Sequence, residues 1–330
     1  MRTTFPKAIE KRNIQVVSLG SMALSCLFRT RKWQVIANFR RSFYCRDNRD
    51  NIICIGQAAI GKGPFTLLCS VDNGWPGNIL SNTRQIRVRK KQLLLEGTGL
   101  IFDMHGASVW RKSLFTISGS DDHLQSDIRW VVGKVAGDAP SESLGMVVSN
   151  FFPVNVHNIR SRPSTLTDSL HKRFIEVISE VRRHPLLLPT GQLNTSFAEG
   201  LRPLMGLGPG LTPSGDDFLA GIVMGLFKMG KQDEAARLAR HFYRAARGKV
   251  TIISLAFYRA LAEGLVAEPF HQFLEAIGRG DYRELETLLR RVSLFGGTSG
   301  WDTIAGIVFG ISLALPDMNE FRGCATEAVC

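Results

Sequence analysis

Two stretches of this 330-residue chain repeat each other at a spacing of 85 residues. Ser214-Gly-Asp-Asp217-Phe-Leu-Ala220-Gly221-Ile-Val-Met-Gly225 aligns with Ser299-Gly-Trp-Asp302-Thr-Ile-Ala305-Gly306-Ile-Val-Phe-Gly310, and eight of the twelve positions are identical. Each stretch is apolar enough to be a buried helix. Each also carries a small-residue face, Ala220, Gly221 and Gly225 in one and Ala305, Gly306 and Gly310 in the other. Small residues let two helix backbones approach closely, so the repeat predicts a packed helix pair. If the pair lies side by side with pseudo-symmetry, both N-termini point at one pocket, flanked by Asp217 and Asp302.

The segments that lead into these helices carry the chemistry. Gly206-Leu-Gly208-Pro209-Gly210-Leu-Thr212-Pro213 precedes the first, and Gly296-Gly297-Thr298 the second. Exposed amides of a glycine-rich loop that feeds a helix N-terminus bind anions. The candidate anion-binding residues are therefore Gly208, Gly210, Thr212, Ser214, Gly215, Thr298, Ser299 and Gly300, with the hydroxyls as donors. Thr251 and Ser254 open a further helix and either cap it or face the same pocket. Asp216, Asp217 and Asp302 are the candidate catalytic carboxylates, and Asp216 and Asp217 the candidate ligands of a Mg²⁺ ion. A plainer reading competes with this one. Ser214 as N-cap with Asp217 three residues on fits a capping box, which accounts for one carboxylate but not for two adjacent ones.

The two halves of the chain differ in period. Short apolar runs punctuated by Gly, Asn and Asp fill the first half: Trp33–Phe39, Ile52–Ile55, Phe65–Val71, Gln92–Leu95 and Ala107–Trp110. They read as strands, with one helix near Ser18–Phe28. From Leu166 onward the apolar residues recur at helical spacing, in Leu166–Val181, Ala235–Ala246, Thr251–Leu265 and Leu285–Val292. The expected fold is α+β, with a β-rich barrel or sandwich over residues 1–155 and a helical domain over 156–330. Phe152–Pro163 is the linker candidate. Gly56-Gln-Ala-Ala-Ile-Gly61-Lys62-Gly63 imitates a nucleotide phosphate loop, but Gly63 replaces the metal-binding hydroxyl and Pro64 with a strand follows where a helix is required. A glycine-rich hairpin turn is the expectation there.

Composition narrows the classes of function. Lys and Arg number 41 against 29 Asp and Glu, a net charge of +12 that favours anionic ligands, acidic partner subunits or polyanions. No nucleic-acid module accompanies the charge, so nucleic acid is not an expected partner. No apolar run reaches the roughly 18 residues of a membrane span, so no membrane partner is expected. Six scattered cysteines without metal spacing fit free thiols of a cytoplasmic protein. Val16–Phe28 follows basic residues as a secretory leader does, but Ser18, Gly20, Ser21 and Ser25 interrupt it, and no leader is expected.

The run Gly206-Leu-Gly-Pro-Gly-Leu-Thr-Pro-Ser-Gly-Asp-Asp217, with Gly297-Thr-Ser-Gly-Trp-Asp302, resembles the signature of the AllH-like family. The resemblance is tight over about 200–227 and 296–310 and looser through Thr251 and Ser254. It implies a subunit of an oxamate carbamoyltransferase, which interconverts oxalurate plus phosphate with oxamate plus carbamoyl phosphate in allantoin breakdown. It also implies partner subunits, one resembling acyl-CoA synthetases, and a small anionic substrate. A self-sufficient metal-dependent enzyme acting on a small carboxylate or phosphate, and a non-catalytic ligand-binding scaffold, are the alternatives from other classes.

Overall fold

The structure is a computed structural model that describes residues 12–71, 85–116, 122–151 and 165–315. Its contacts divide the chain into two compact units, Met1–Arg111 and Lys112–Cys330. The linker candidate Phe152–Pro163 lies outside the described residues.

The first unit is a β-barrel. Its strands are β1 (Arg12–Gly20), β2 (Lys32–Asn38), β3 (Ser42–Arg46), β4 (Ile52–Gln57), β5 (Thr66–Cys69), β6 (Gln85–Arg89), β7 (Gln92–Leu95), β8 (Leu100–Asp103) and β9 (Ser108–Trp110). Eight of them close in the order β5-β4-β3-β2-β6-β7-β8-β1, with β1 pairing back to β5. β1 closes the ring by using its two halves differently. Arg12–Gln15 lies parallel to β8, Val16–Leu19 antiparallel to β5, and Ser18–Gly20 takes β9 alongside. Closure follows from alternation: on β6, Ile86 and Val88 point into the core while Gln85, Arg87 and Arg89 face water. Val16, Phe43, Ile53, Ile55, Leu67, Leu93 and Phe102 fill the interior.

Helix α1 (Ser21–Arg29) starts where the Pro64 carbonyl accepts the amides of Met22 and Ala23, both at 3.0 Å. Only glycine fits just before it, because a Cβ on Gly20 would lie 2.2 Å from the Gly63 and Pro64 oxygens. The Gly56–Gly63 segment is not a hairpin turn. A 3-10 turn at Ala58–Ile60 leads into β5, which lies parallel to β4, so the loop carries the chain back along the strand.

The second unit is helical: α2 (Leu124–Asp138), α3 (Thr165–Val181), α4 (Thr195–Gly200), α5 (Ser214–Lys228), α6 (Gln232–Ala245), α7 (Ile252–Ala262), α8 (Glu268–Ala276), α9 (Tyr282–Ser293) and α10 (Ser299–Ser312). A 3-10 segment covers Leu144–Phe151. α6 and α9 are amphipathic, burying Leu238, Ala239 and Phe242, and Leu285, Leu289 and Val292. α5 and α10 are buried almost all round, as helices at the centre of a bundle must be.

These two central helices pack parallel, backbone against backbone. A Cβ on Gly221 would stand 2.2 Å from the Thr303 carbonyl oxygen, and one on Gly306 would stand 2.1 Å from that of Phe218. One turn on, Gly225 faces the Ile307 oxygen and Gly310 the Ile222 oxygen, each at 2.3 Å from the Cβ position. At the 85-residue spacing these are the same contacts exchanged, so a local two-fold axis runs along the pair and both N-termini lie at one end. Phe218 locks the pair to α3 by edge-on packing with Phe174, ring centroids 4.7 Å apart.

Gly221→Ala is expected to destabilise the chain by about 1–3 kcal/mol, since the methyl has no room between the backbones. Gly137→Ala, on an exposed part of α2 with open space at its Cβ, is expected to stabilise by up to about 1 kcal/mol. Denaturant unfolding of both variants beside the parent checks this, and a neutral Gly221→Ala would contradict the close approach.

Candidate functional site

The loop ahead of α5 turns on Gly206, Gly208 and Gly210, with φ of 72°, 111° and 97°. This left-handed path brings the Leu207 carbonyl back to accept the Gly215 amide at 2.9 Å. The loop ahead of α10 ends alike: the Phe295 carbonyl accepts the Gly300 amide at 3.0 Å. Gly215 and Gly300 sit against backbone, their Cβ positions 2.0 Å from the Leu204 oxygen and 2.1 Å from the Val292 oxygen. Their amides, candidates for anion binding, are thus used within the chain. The Pro213 carbonyl accepts the amides of Asp216 and Asp217 at 2.9 and 3.2 Å, and the Thr298 carbonyl that of Asp302 at 2.9 Å.

Ser214 is not the N-cap. It is the first residue of α5, Pro213 occupies the cap position, and no side chain caps the helix. Ser299 likewise opens α10, after Thr298. The two hydroxyls cross over instead: that of Ser299 hydrogen-bonds Asp217, and that of Ser214 hydrogen-bonds Asp302. Thr212 joins Ser299, Oγ1 to Oγ at 2.8 Å, and also hydrogen-bonds Asp217. The repeat thereby becomes a crosswise network between the two helix starts, and the capping box does not form.

Asp216 and Asp302 are each held by one oxygen. Asp216 Oδ1 accepts the Gly206 amide at 3.0 Å and the Tyr258 hydroxyl at 2.9 Å, and Ser254 also hydrogen-bonds this carboxylate. Asp302 Oδ1 accepts the Leu144 amide at 2.7 Å and the Ser143 hydroxyl at 2.8 Å, with Thr298 alongside. The second oxygen, Oδ2, of Asp216, Asp217 and Asp302 is buried and has no partner. Asp216 and Asp302 are buried as whole residues, whereas Asp217 keeps part of its surface open. Above them, Pro209, Gly210, Leu211, Gly296 and Gly297 are exposed, and Thr212, Thr298 and Ser299 half-buried.

Thr251 caps α7, accepting the Ser254 amide at 3.0 Å, and donates to the Leu211 carbonyl. It ties the glycine loop to α7, while Ser254 reaches the site through Asp216. Gly208 packs against Ser214, and Gly210 stands at the open rim with no atom within 4 Å of its Cβ position. All the sequence candidates therefore gather at one end of the helix pair. Tyr258, Ser143 and the Leu144 amide are additions. Tyr258 was open to inference, because Thr251, Ser254 and Tyr258 form one helical stripe. Nothing local marks Ser143 and Leu144, which reach Asp302 across about 160 residues of chain.

The electrostatics are set by burial. Desolvation pushes Asp217 well above the usual carboxylate range, and the neighbouring Asp302 charge adds to it, against the hydrogen bonds from Ser299 and Thr212. Desolvation likewise raises Asp216, against bonds from Gly206, Ser254 and Tyr258, and raises Asp302, against those from Ser143 and Ser214. Tyr258 is pushed well up by its own burial and by the Asp216 charge, so it stays a donor. Among the described residues no three His, Cys, Asp or Glu side chains gather as metal ligands. Asp216 and Asp217, the expected Mg²⁺ ligands, are not part of such a group.

Residues 204–311, from the turn before the glycine loop to the end of α10, match the family model described as oxamate carbamoyltransferase subunit AllH. This stretch is AllH-like. The AllH-like stretch contains both loops, all three carboxylates, Thr251, Ser254 and Tyr258, while Ser143 and Leu144 come from outside it. No solved structure matches the chain. Among the described residues no helix is long and apolar enough to cross a membrane.

Asp217→Asn gives a pH test of this electrostatic picture. An unfolded Asp titrates near ~3.9, and the folded group titrates higher. Below the unfolded value both states are protonated, and the substitution changes little. Between the unfolded and the folded values the unfolded chain gives up this proton first, so the parent loses stability that the variant keeps. The variant is therefore expected to gain on the parent in melting temperature between pH 4 and 8. A difference that is flat with pH would show that Asp217 titrates normally.

Proposed function

We propose that this chain is a subunit of a carbamoyltransferase-type complex that binds a small anionic substrate at the paired starts of α5 and α10. The observation that carries the reading is the set of three buried carboxyl groups, each with one unpartnered oxygen, beneath two exposed glycine loops in the AllH-like stretch. A free carboxylate oxygen in a desolvated site accepts strongly from an N–H, and a carbamoyl NH₂ supplies two. A carboxyl held neutral by burial instead donates, and so tolerates a phosphate or carboxylate beside it. The rim amides at Gly208 and Gly210 suit the anionic end of oxalurate, oxamate or carbamoyl phosphate, while the Thr212, Ser214, Thr298 and Ser299 hydroxyls orient the carboxyls beneath. Gly215 and Gly300 contribute by shaping the helix starts, and Thr251 and Ser254 by holding the loop.

Carbamoyl transfer needs positioning and charge stabilisation more than a protein nucleophile, which suits a site without one. On this reading the protein works in the cytoplasm, in purine and allantoin catabolism, beside other subunits including one similar to acyl-CoA synthetases.

The test is carbamoyl transfer from carbamoyl phosphate to oxamate by the assembled complex, with this subunit as parent, Asp217→Asn or Asp302→Asn. Each variant is expected to fold and assemble, and to lose about 100-fold or more in rate, the scale that lost positioning alone can reach. Full activity in either variant would overturn the site. A lone chain that turns over this or another carboxylate without partners would overturn the subunit reading.

A further inference from the structure

The chain's net positive charge belongs to one of its two units. Residues 1–111 hold 18 of the 41 Lys and Arg but only 6 of the 29 Asp and Glu, so this stretch carries the whole excess of 12. Residues 112–330 hold 23 of each. Within the barrel the charge gathers around the β2, β6 and β7 ends. Lys32 on β2 stands directly opposite Arg87 on β6 in the strand register, and both face outward. Like charges opposed across a ladder destabilise it. Arg31 adjoins this pair, its carbonyl accepting the Val88 amide at 2.9 Å. Arg89, Lys90 and Lys91 follow at the β6–β7 turn. Lys90 sits there at φ 53°, a conformation for which Asn or Gly is the usual residue. The Arg87 charge of that pair is met by Glu96, whereas Lys90 keeps its strained backbone with a cationic side chain.

The carboxylates at this end are engaged elsewhere: Glu96 pairs with Arg87, Asp103, near Lys91 through the β7–β8 pairing, with His105, and Asp50 with Arg46, while Asp47 accepts the Thr30 hydroxyl at 2.7 Å. Arg31, Lys32, Arg89, Lys90 and Lys91 are exposed and have no carboxylate partner among the described residues. Such a field, spread over exposed side chains of two strands and their turn, fits a broad surface of opposite sign better than a small ion, which requires a concave site.

We propose that the β2–β6–β7 end of the barrel is the docking surface for an acidic face of a partner subunit. The inference rests on the subunit reading above and assigns the contact to the unit that does not carry the carboxylate site. The electrically neutral helical unit keeps its glycine loops for substrate, and the barrel supplies attraction and orientation. Electrostatic docking of this kind acts mainly on the association rate and weakens with salt.

The test uses the complex purified from the cells that make it. A zero-length carbodiimide cross-linker joins lysine amines to carboxylates in contact, and peptide mass spectrometry is expected to find Lys32, Lys90 and Lys91 joined to Asp or Glu of the partner. The variant Lys32→Glu/Arg89→Glu/Lys91→Glu is expected to melt like the parent. It is expected to bind the purified partner roughly tenfold or more slowly at 0.05 M salt, with the gap closing at 0.5 M. Arg237→Glu/Arg240→Glu, on exposed positions of α6, is the control that leaves binding unchanged. A partner that cross-links only to residues beyond 112, or that binds the triple variant at the parental rate, overturns this proposal and leaves the subunit reading standing. Failure to isolate any stoichiometric partner, with activity in the lone chain, overturns both. Nuclease-sensitive oligonucleotide in place of a protein at this surface overturns the proposal in favour of a nucleic-acid ligand.

Discussion

The close parallel packing of α5 on α10 is the contact on which the site depends. Gly221, Gly225, Gly306 and Gly310 bring the two backbones together without intervening side chains. Parallel packing has an electrostatic consequence that antiparallel packing avoids: two positive helix ends share one place. Something negative must meet them. Here the chain supplies its own carboxyl groups, Asp217 and Asp302 at equivalent positions of the first turns, each hydrogen-bonded by the serine that opens the other helix.

Two effects then oppose each other at these carboxyls. The helix ends and the hydroxyls favour the charged form, while burial and mutual repulsion disfavour it. Burial wins for all three aspartates, which titrate above the ordinary carboxylate range. A group that served only to cap would gain from the opposite outcome, since a cap is strongest when it is ionised and solvated. Buried oxygens left without partners cost stability, on the scale of about 1–3 kcal/mol each when isolated. Costs of this kind concentrate where a ligand completes the hydrogen bonding.

Much of this arrangement could be read from the sequence because it is local or repeated. The 85-residue repeat gave the helix pair, its small-residue contact and the equivalence of Asp217 with Asp302. The hydroxyl-rich start of α7 left Thr251 and Ser254 as caps or pocket residues, and the structure makes Thr251 the cap while Ser254 reaches Asp216. The reading failed where geometry depends on distant partners. Ser214 looked like a cap because caps are recognised by residue type, yet its hydroxyl finds Asp302 rather than its own helix. The partners of Asp302 arrive from Ser143 and Leu144, and no spacing rule connects them. In the barrel, short apolar runs mark β2, β4, β5, β7 and β9, whereas β1, β3 and β8 are not marked, the first two because polar residues interrupt them. The parallel pairing of β4 with β5 is a matter of closure, which a local turn pattern cannot express.

The departure from symmetry carries as much meaning as the symmetry. A two-fold pair of helix starts offers two equal carboxyls and therefore no direction to a bound molecule. Among the positions that differ, one changes the charge of the site: Asp216 on α5 corresponds to Trp301 on α10. Asp216 brings with it the Tyr258 hydroxyl and the Gly206 amide, which anchor the glycine loop on that side. The α10 side has an indole there and a shorter loop. A carbamoyl compound is itself unsymmetrical, with N–H donors at one end and anionic oxygens at the other. If the proposed substrate binds here, the extra carboxyl on one flank would give it a single favoured orientation, which a strictly two-fold site would withhold.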